Sequence, residues 1–229
     1  MKIIRLLILM TVAMTAVSCV SSTMTRQSQY PKLYEEHPVT LLVMPPINNT
    51  TNVEAKDLLY TSISKPLVEA GYYVISPLLS LDVLKAESAY DAELFIDGPL
   101  NKFGEFFGAD AVVFSVIETW AKQDLGIRTK LHYMIKSTKT NEILFDRTCD
   151  LYLDLKPKNS TNASNGNAWG ALLDLAVSAI VTATTDHIEA ARKANQYIFQ
   201  DIPKGKYHSS YGKDQSVNVS SRDITVTVR

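Results

Sequence analysis

The sequence predicts an α/β protein: a single-domain mixed sheet, parallel strands plus an antiparallel hairpin, with helices packed on it. Three observations predict this class. Compact apolar runs at Val39–Met44, Tyr72–Ile75 and Ala111–Ile117 are separated by stretches of helical spacing, as buried parallel strands joined by crossovers require. Between Ile127 and Leu153 the period changes to alternation, the mark of strands with one buried and one wet face. Beyond a polar loop, apolar residues return at helical spacing from Ala168 towards Phe199.

The chain begins with Lys2 and Arg5, an apolar run from Leu6 to Val17, and small residues at Ala16 and Ser18 just before Cys19. A positive start, a short apolar segment and a small-residue junction make a secretory signal. The junction resembles a bacterial lipobox, in which the cysteine thiol is lipidated and becomes the new N-terminus. Residues 1–18 are therefore expected to be a lipoprotein signal peptide. Cys19 is the expected lipidation site, and residues 19–37 a lipidated tether, polar from Ser21 to Tyr30. Several acyl chains on one cysteine anchor stably where one holds only marginally. By the same resemblance, the absence of Asp at position 20 implies the outer membrane, with the domain facing the periplasm.

Roughly 210 residues follow the leader, enough for one good-sized core. The net charge of −1 gives no electrostatic footprint for nucleic acid. With Cys19 acylated, Cys149 is the one thiol left, so no intramolecular disulfide forms. Cys149 lies in an alternating apolar pattern and reads as a buried small hydrophobe.

The α/β domain is expected over residues 38–202. Val39–Met44 is a strand closed by Pro45-Pro46, and Thr51 with Glu54 has the form of a capping box for the helix through Leu58, Leu59, Ile63 and Leu67. Pro66 should kink that helix and Gly71 should stop it. Tyr72–Ile75 is the second strand, Leu78–Ala86 a helix, Ser88–Glu93 a loop, and Leu100–Phe107 a helix broken at Gly108. Ala111–Ile117, the most apolar strand, belongs in the centre, and right-handed crossovers make the first three strands parallel. Ile127, Thr129, Leu131, Tyr133 and Ile135 then share one face. Across the Ser137–Glu142 turn, Ile143, Phe145, Cys149, Leu151 and Leu153 resume the alternation, with Arg147 the exception. Lys156–Asn167 reads as a mobile polar loop, and the long helix after it should run roughly 45 Å at 1.5 Å per residue. Residues 203–229 are expected to be a polar tail, with a last alternating patch at Ile224, Val226 and Val228.

Chemistry-bearing motifs are missing: no phosphate loop, no dinucleotide fingerprint, no nucleophile elbow. His187 falls on the apolar stripe, where helical spacing does not gather it with Asp186 and Glu189, and a core or interface histidine is the better reading. His132 lies on the wet face of the hairpin. No catalytic, cofactor-binding or metal residues are assigned, no cofactor or small-molecule substrate is implied, and the chain does not read as an enzyme. The segment Ala168–Thr184, apolar nearly all round but carrying Asp174, reads as a core or partner-facing helix rather than a membrane span.

Leu42-Val43-Met44-Pro45-Pro46-Ile47-Asn48, Pro66–Val74 and Phe107-Gly108-Ala109-Asp110-Ala111 resemble a bacterial lipoprotein family of unknown function, noted as a neisserial vaccine-antigen candidate. The resemblance covers most of residues 38–214. It implies a fold like the N-terminal domain of TolB and the periplasmic core of the curli secretion lipoprotein CsgG. It also implies a periplasm-facing lipoprotein that works through protein contacts, beside a CsgG-like partner. The expected function is a binding or scaffold module in envelope assembly or secretion, held to the membrane through lipid on Cys19. A homodimer or another envelope protein is its expected partner. The alternative is a pore or secretion-channel subunit, with the two hairpin strands as barrel strands.

Overall fold

The computed structural model describes residues 24–155 and 187–229. Seven strands form one sheet, β1 Thr40–Val43, β2 Ile47–Asn48, β3 Tyr73–Val74, β4 Ala111–Gln123, β5 Gly126–Ser137, β6 Ile143–Asp154 and β7 Asp223–Val228. Their order is β3-β1-β4-β5-β6-β7, with β2 also pairing β4. The pairs β3/β1, β1/β4 and β2/β4 are parallel, while β4/β5 and β5/β6 are antiparallel. The expected mixed sheet is thus present, parallel at one end and meandering in the middle.

The strands alternate between the two faces of the sheet, except that Leu144 and Phe145 both join the first core and Ile143, expected to continue the buried alternation, is 47% exposed. Leu41, Val43, Ala111, Val113, Ile117, Ile127, Leu131, Tyr133, Ile135, Phe145, Cys149 and Leu151 point to one face. Against it pack the helices α1 Arg26–Gln29, α2 Pro31–Glu36, α3 Glu54–Ser62 and α4 Ser64–Glu69, together with α7, residues 187–199. Leu42, Met44, Val112 and Phe114 point the other way. They are covered by α5 Pro77–Ala86, a 3-10 turn at Ala92–Leu94, and α6 Asn101–Phe107. This second cover spans only the parallel half of the sheet. The protein is three layers deep over β1 and the start of β4, and two layers deep over β5 and β6. A register shift between Ile117 and Thr119 inserts Glu118 as a bulge, which changes the phase of β4 so that Trp120 again faces the first core.

Local chemistry explains the helix ends. The expected capping box at Thr51 is not formed: Asn52 Oδ1 accepts from Ala55 N instead, at 3.1 Å. Asn, a strong capping residue, has the reach to satisfy that first-turn donor. The regular helix breaks at Ile63, between α3 and α4. Pro66 has no N–H to give Ser62, and its ring crowds that carbonyl. Gly71, at φ 92°, then closes α4: its N–H bonds Val68 O at 2.9 Å and Tyr72 N–H bonds Leu67 O at 3.2 Å, the paired bonds of a Schellman stop.

Both ends of the expected domain need correction. Packed chain begins well before Pro38: Tyr30 and Leu33 are buried, and the Tyr30 ring stacks on Phe145 at 4.8 Å. Nor is the segment after Ile202 a free polar tail. Ile224, Val226 and Val228 lie on one side of β7, which joins β6 as a parallel edge strand and adds those three side chains to the first core. An alternation of three apolar residues is enough when an open edge is there to receive it. The Lys156–Asn167 loop and the apolar segment Ala168–Thr184 lie outside the described residues. The final part of the predicted long helix is helical, and Ala190, Ala191, Ala194 and Ile198 are buried.

Candidate functional site

Cys19 lies outside the described residues, so the site is sought in the folded chain. Cys149 is fully buried, and desolvation pushes its thiol up to about 12, against a smaller opposing effect of the Arg147 charge. A nucleophilic thiol needs the opposite setting, exposed and electropositive. The four histidines are far apart in role. His132 Nε2 lies 2.6 Å from Asp146 on the wet face, a pairing the sequence reading did not give it. His187 stacks on Trp120 at 6.1 Å, His37 meets the Tyr211 hydroxyl, and His208 Nδ1 accepts from Ser210 N. Among the described residues no group of three or more His, Cys, Asp or Glu is placed to hold a metal ion. Gly104 serves packing, since a Cβ there would meet Thr138 Oγ1 at 2.9 Å.

What the fold does assemble is an aromatic groove on the partly covered face. It has a volume of about 350 Å³ and is lined by Leu84, Ala89, Phe95, Pro99, Phe103, Phe106 and Phe107, with Glu87 and Lys102 at its rim. Phe103 anchors the wall: it meets Phe95 edge-on at 5.1 Å and Phe107 at 6.5 Å, and Phe107 meets Phe106 at 5.0 Å. Phe106 itself is 63% exposed and neighbouring Leu94 is 70% exposed. On the same face of the sheet, buried Lys136 donates to Ile96 O at 2.6 Å, pinning the segment that carries Phe95. The groove was legible in one respect that sequence reading passed over. Phe103, Phe106 and Phe107 stand at i, i+3 and i+4 and so form one aromatic stripe on a seven-residue helix, of which only Phe103 is buried.

Beyond the groove the same side of the sheet is bare and salted. Lys130 pairs Glu118 at 2.6 Å, and Arg128 pairs Asp150 through two hydrogen bonds of 2.9 and 2.7 Å. The Asp150 carboxylate holds Arg128 in its charged form. These pairs alternate in sign and are solvent-exposed, so they contribute little stability.

Arg147, the apparent exception in the β6 pattern, is no exception in direction. It points inward with the apolar residues and is 1% exposed. Its Nη1 donates to Ile198 O at 3.1 Å, and its Nη2 to Asp201 Oδ2 at 2.7 Å, to Ser221 O at 3.1 Å and to Ser220 Oγ. It is a fastener between β6, the end of α7 and the loop that leads into β7.

Among known proteins, "Putative lipoprotein NMB1124/NMB1162" of Neisseria meningitidis serogroup B is 24% identical over 195 residues, covering 83% of this chain and 88% of that protein. The crystal structure of lipoprotein GNA1162 from Neisseria meningitidis covers 64% of this chain and 99% of its own, at 22% identity and a TM-score of 0.45. A PelC dodecamer structure from Paraburkholderia phytofirmans covers 68% of this chain and 84% of its own, at 9% identity and a TM-score of 0.40. The family model described as "Putative lipoprotein GNA1162-like" matches residues 28–206, from α1 through the end of α7, and the chain belongs to that family.

Proposed function

We propose that this protein is an outer-membrane lipoprotein, anchored through Cys19 and facing the periplasm, that acts as a binding or scaffold module in envelope assembly or secretion. Membership of a lipoprotein family supports an envelope localisation in general. The observation that carries the binding role is the groove around Phe103, with Phe106 left exposed at its lip. A concave, largely apolar surface with few polar groups recognises shape and apolar side chains. Its occupant in this reading is an apolar segment of another envelope protein, the CsgG-like partner that the TolB- and CsgG-like resemblance implies, or a second copy of the chain. The pore reading has less support, because the apolar face of β5 and β6 is covered by the first core and their other face carries the ion pairs.

The test is site-specific photocrosslinking in intact envelopes, with the crosslinker at position 106 and, as a control, at the exposed position 122 on β4. Adducts to one envelope protein from position 106 alone are the expected result; equal labelling from both positions would count against the groove. Cys19→Ala tests the anchor separately, by release of the protein from the membrane fraction.

A further inference from the structure

The chain is fastened almost as soon as the described residues begin. Val219 N donates to Met24 O at 2.9 Å, Thr25 bridges Asn218, Arg26 N donates to Val217 O at 2.8 Å and Gln27 N to Gln215 O at 3.1 Å. A buried ion pair locks this zipper: Arg26 Nη1 lies 2.7 Å from Asp214 Oδ2, which also accepts Lys204 N at 2.8 Å. Only five residue steps separate Cys19 from Met24. At ~3.6 Å per step they span at most about 18 Å. A tether running free to residue 37 would have reached about 65 Å on the same rule. A domain of this size is about 40 Å across. An anchor shorter than the domain lets only the surface around Met24 meet the bilayer.

The segment 206–217, joined to that surface by the zipper, has the composition of a membrane interface. Met24 is 51% exposed and Val217 44%, and Tyr207 and Tyr211 are exposed on the same segment. Lys206 and Lys213 are exposed too. Asp214, the one carboxylate between residues 203 and 219, is buried against Arg26, so the segment shows solvent its cations and not its anion. Tyr rings favour the headgroup level. Lysines beside an anionic leaflet draw the segment to it.

We propose that Met24, Val217, Tyr211, Lys206 and Lys213 form a membrane-contact face, seated on the phospholipid headgroups of the leaflet that holds the Cys19 anchor. The proposal rests on lipidation at Cys19 and adds the orientation of the domain. With this face down, the zipper of residues 24–27 on 215–219 is the joint between lipid and fold.

The full-length lipidated protein tests it. Val217→Cys and Leu94→Cys variants are labelled with an NBD maleimide, Cys149 being buried, and reconstituted into vesicles of phosphatidylethanolamine and phosphatidylglycerol. The expected result is a blue shift with intensity gain at position 217 and none at 94. Lys206→Glu combined with Lys213→Glu should cut the shift at 217 by half or more while the protein still floats with the vesicles. Flotation without a shift at 217, equal shifts at both positions, or a shift at 217 that needs an added envelope protein overturns the membrane face and leaves the anchor standing. Failure of the unsubstituted protein to float overturns the anchor reading itself.

Discussion

Arg147 and Asp201 pair at 2.7 Å, 54 residues apart, with the arginine side chain fully buried and the carboxylate partly exposed. Burial pushes the Asp201 carboxyl up, but hydrogen bonds from Ser220 and Arg147 outweigh it and leave the group below its ordinary value. Two facts about β7 follow. It enters the sheet beside a buried charge, and its approach through Ser220 and Ser221 satisfies that charge.

Removing one partner should therefore cost more than removing both. Asp201→Ala leaves a buried guanidinium without its counter-ion and is expected to destabilise by ~3–5 kcal/mol, read from urea unfolding. Arg147→Met with Asp201→Ala should recover at least half of that loss. The carboxylate's lowered value gives the pH sign: its contribution is present above the unfolded value of about 4 and fades as pH falls below it. A single variant within 1 kcal/mol of the parent would show that the pair is not a fastener.

Gly71 offers a second check on the C-terminal segment. At φ 92° it also lies so close to the chain that a Cβ would meet His208 N at 2.5 Å and Gly205 O at 2.9 Å. Gly212, at φ 67°, has open space around its would-be Cβ. Gly212→Ala should thus cost only the left-handed penalty of about 1–2 kcal/mol. Gly71→Ala should cost distinctly more, because backbone atoms of another segment must move. Equal melting temperatures for the two variants would dissolve this distinction.

Periodicity made the strands legible, because burial on both faces or on one face leaves a direct trace in sequence. It left β7 and α2 illegible. Three apolar residues at Ile224, Val226 and Val228 are too few to show a strand until β6 supplies the edge, and Tyr30 and Leu33 make no periodic run. Arg147 broke the apolar pattern at the position where two distant segments converge, and convergence over 54 and 73 residues is not written locally. The groove's aromatic stripe was visible as Phe103, Phe106 and Phe107 at helical spacing, but not that it is left partly uncovered. Nor was the tie from Lys136 to Ile96, 40 residues apart, that holds the segment carrying Phe95.

Cys149 makes a pH prediction of the opposite sign to Asp201. Its thiol is held protonated by burial to about 12. The unfolded chain ionises near pH 8.5. A raised value stabilises the fold fully below the unfolded value, and that stability is lost as pH rises towards the folded one. Urea midpoints should decline above about pH 8.5 in the parent, and less so in Cys149→Ala after correction for its cavity. In native buffer the thiol should react with a disulfide reagent only at the rate of unfolding.

Within the groove, two phenylalanines three residues apart separate binding from folding. Phe103 is buried and touches Phe95 and Phe107, so Phe103→Ala should cost ~3–5 kcal/mol as lost transfer energy plus cavity. Phe106 is mostly exposed, and Phe106→Ser should leave the urea midpoint within about 0.5 kcal/mol of the parent. If the groove docks an envelope protein, the serine variant should nonetheless lose the crosslink obtained with the photoreactive group at the adjacent rim position, Lys102. Exposed aromatics at the centre of an interface typically carry 2 kcal/mol or more of binding, about a thirtyfold loss. Unchanged stability with unchanged crosslinking would mean that Phe106 is ordinary exposed surface, and the docking role would then have to move elsewhere on the fold.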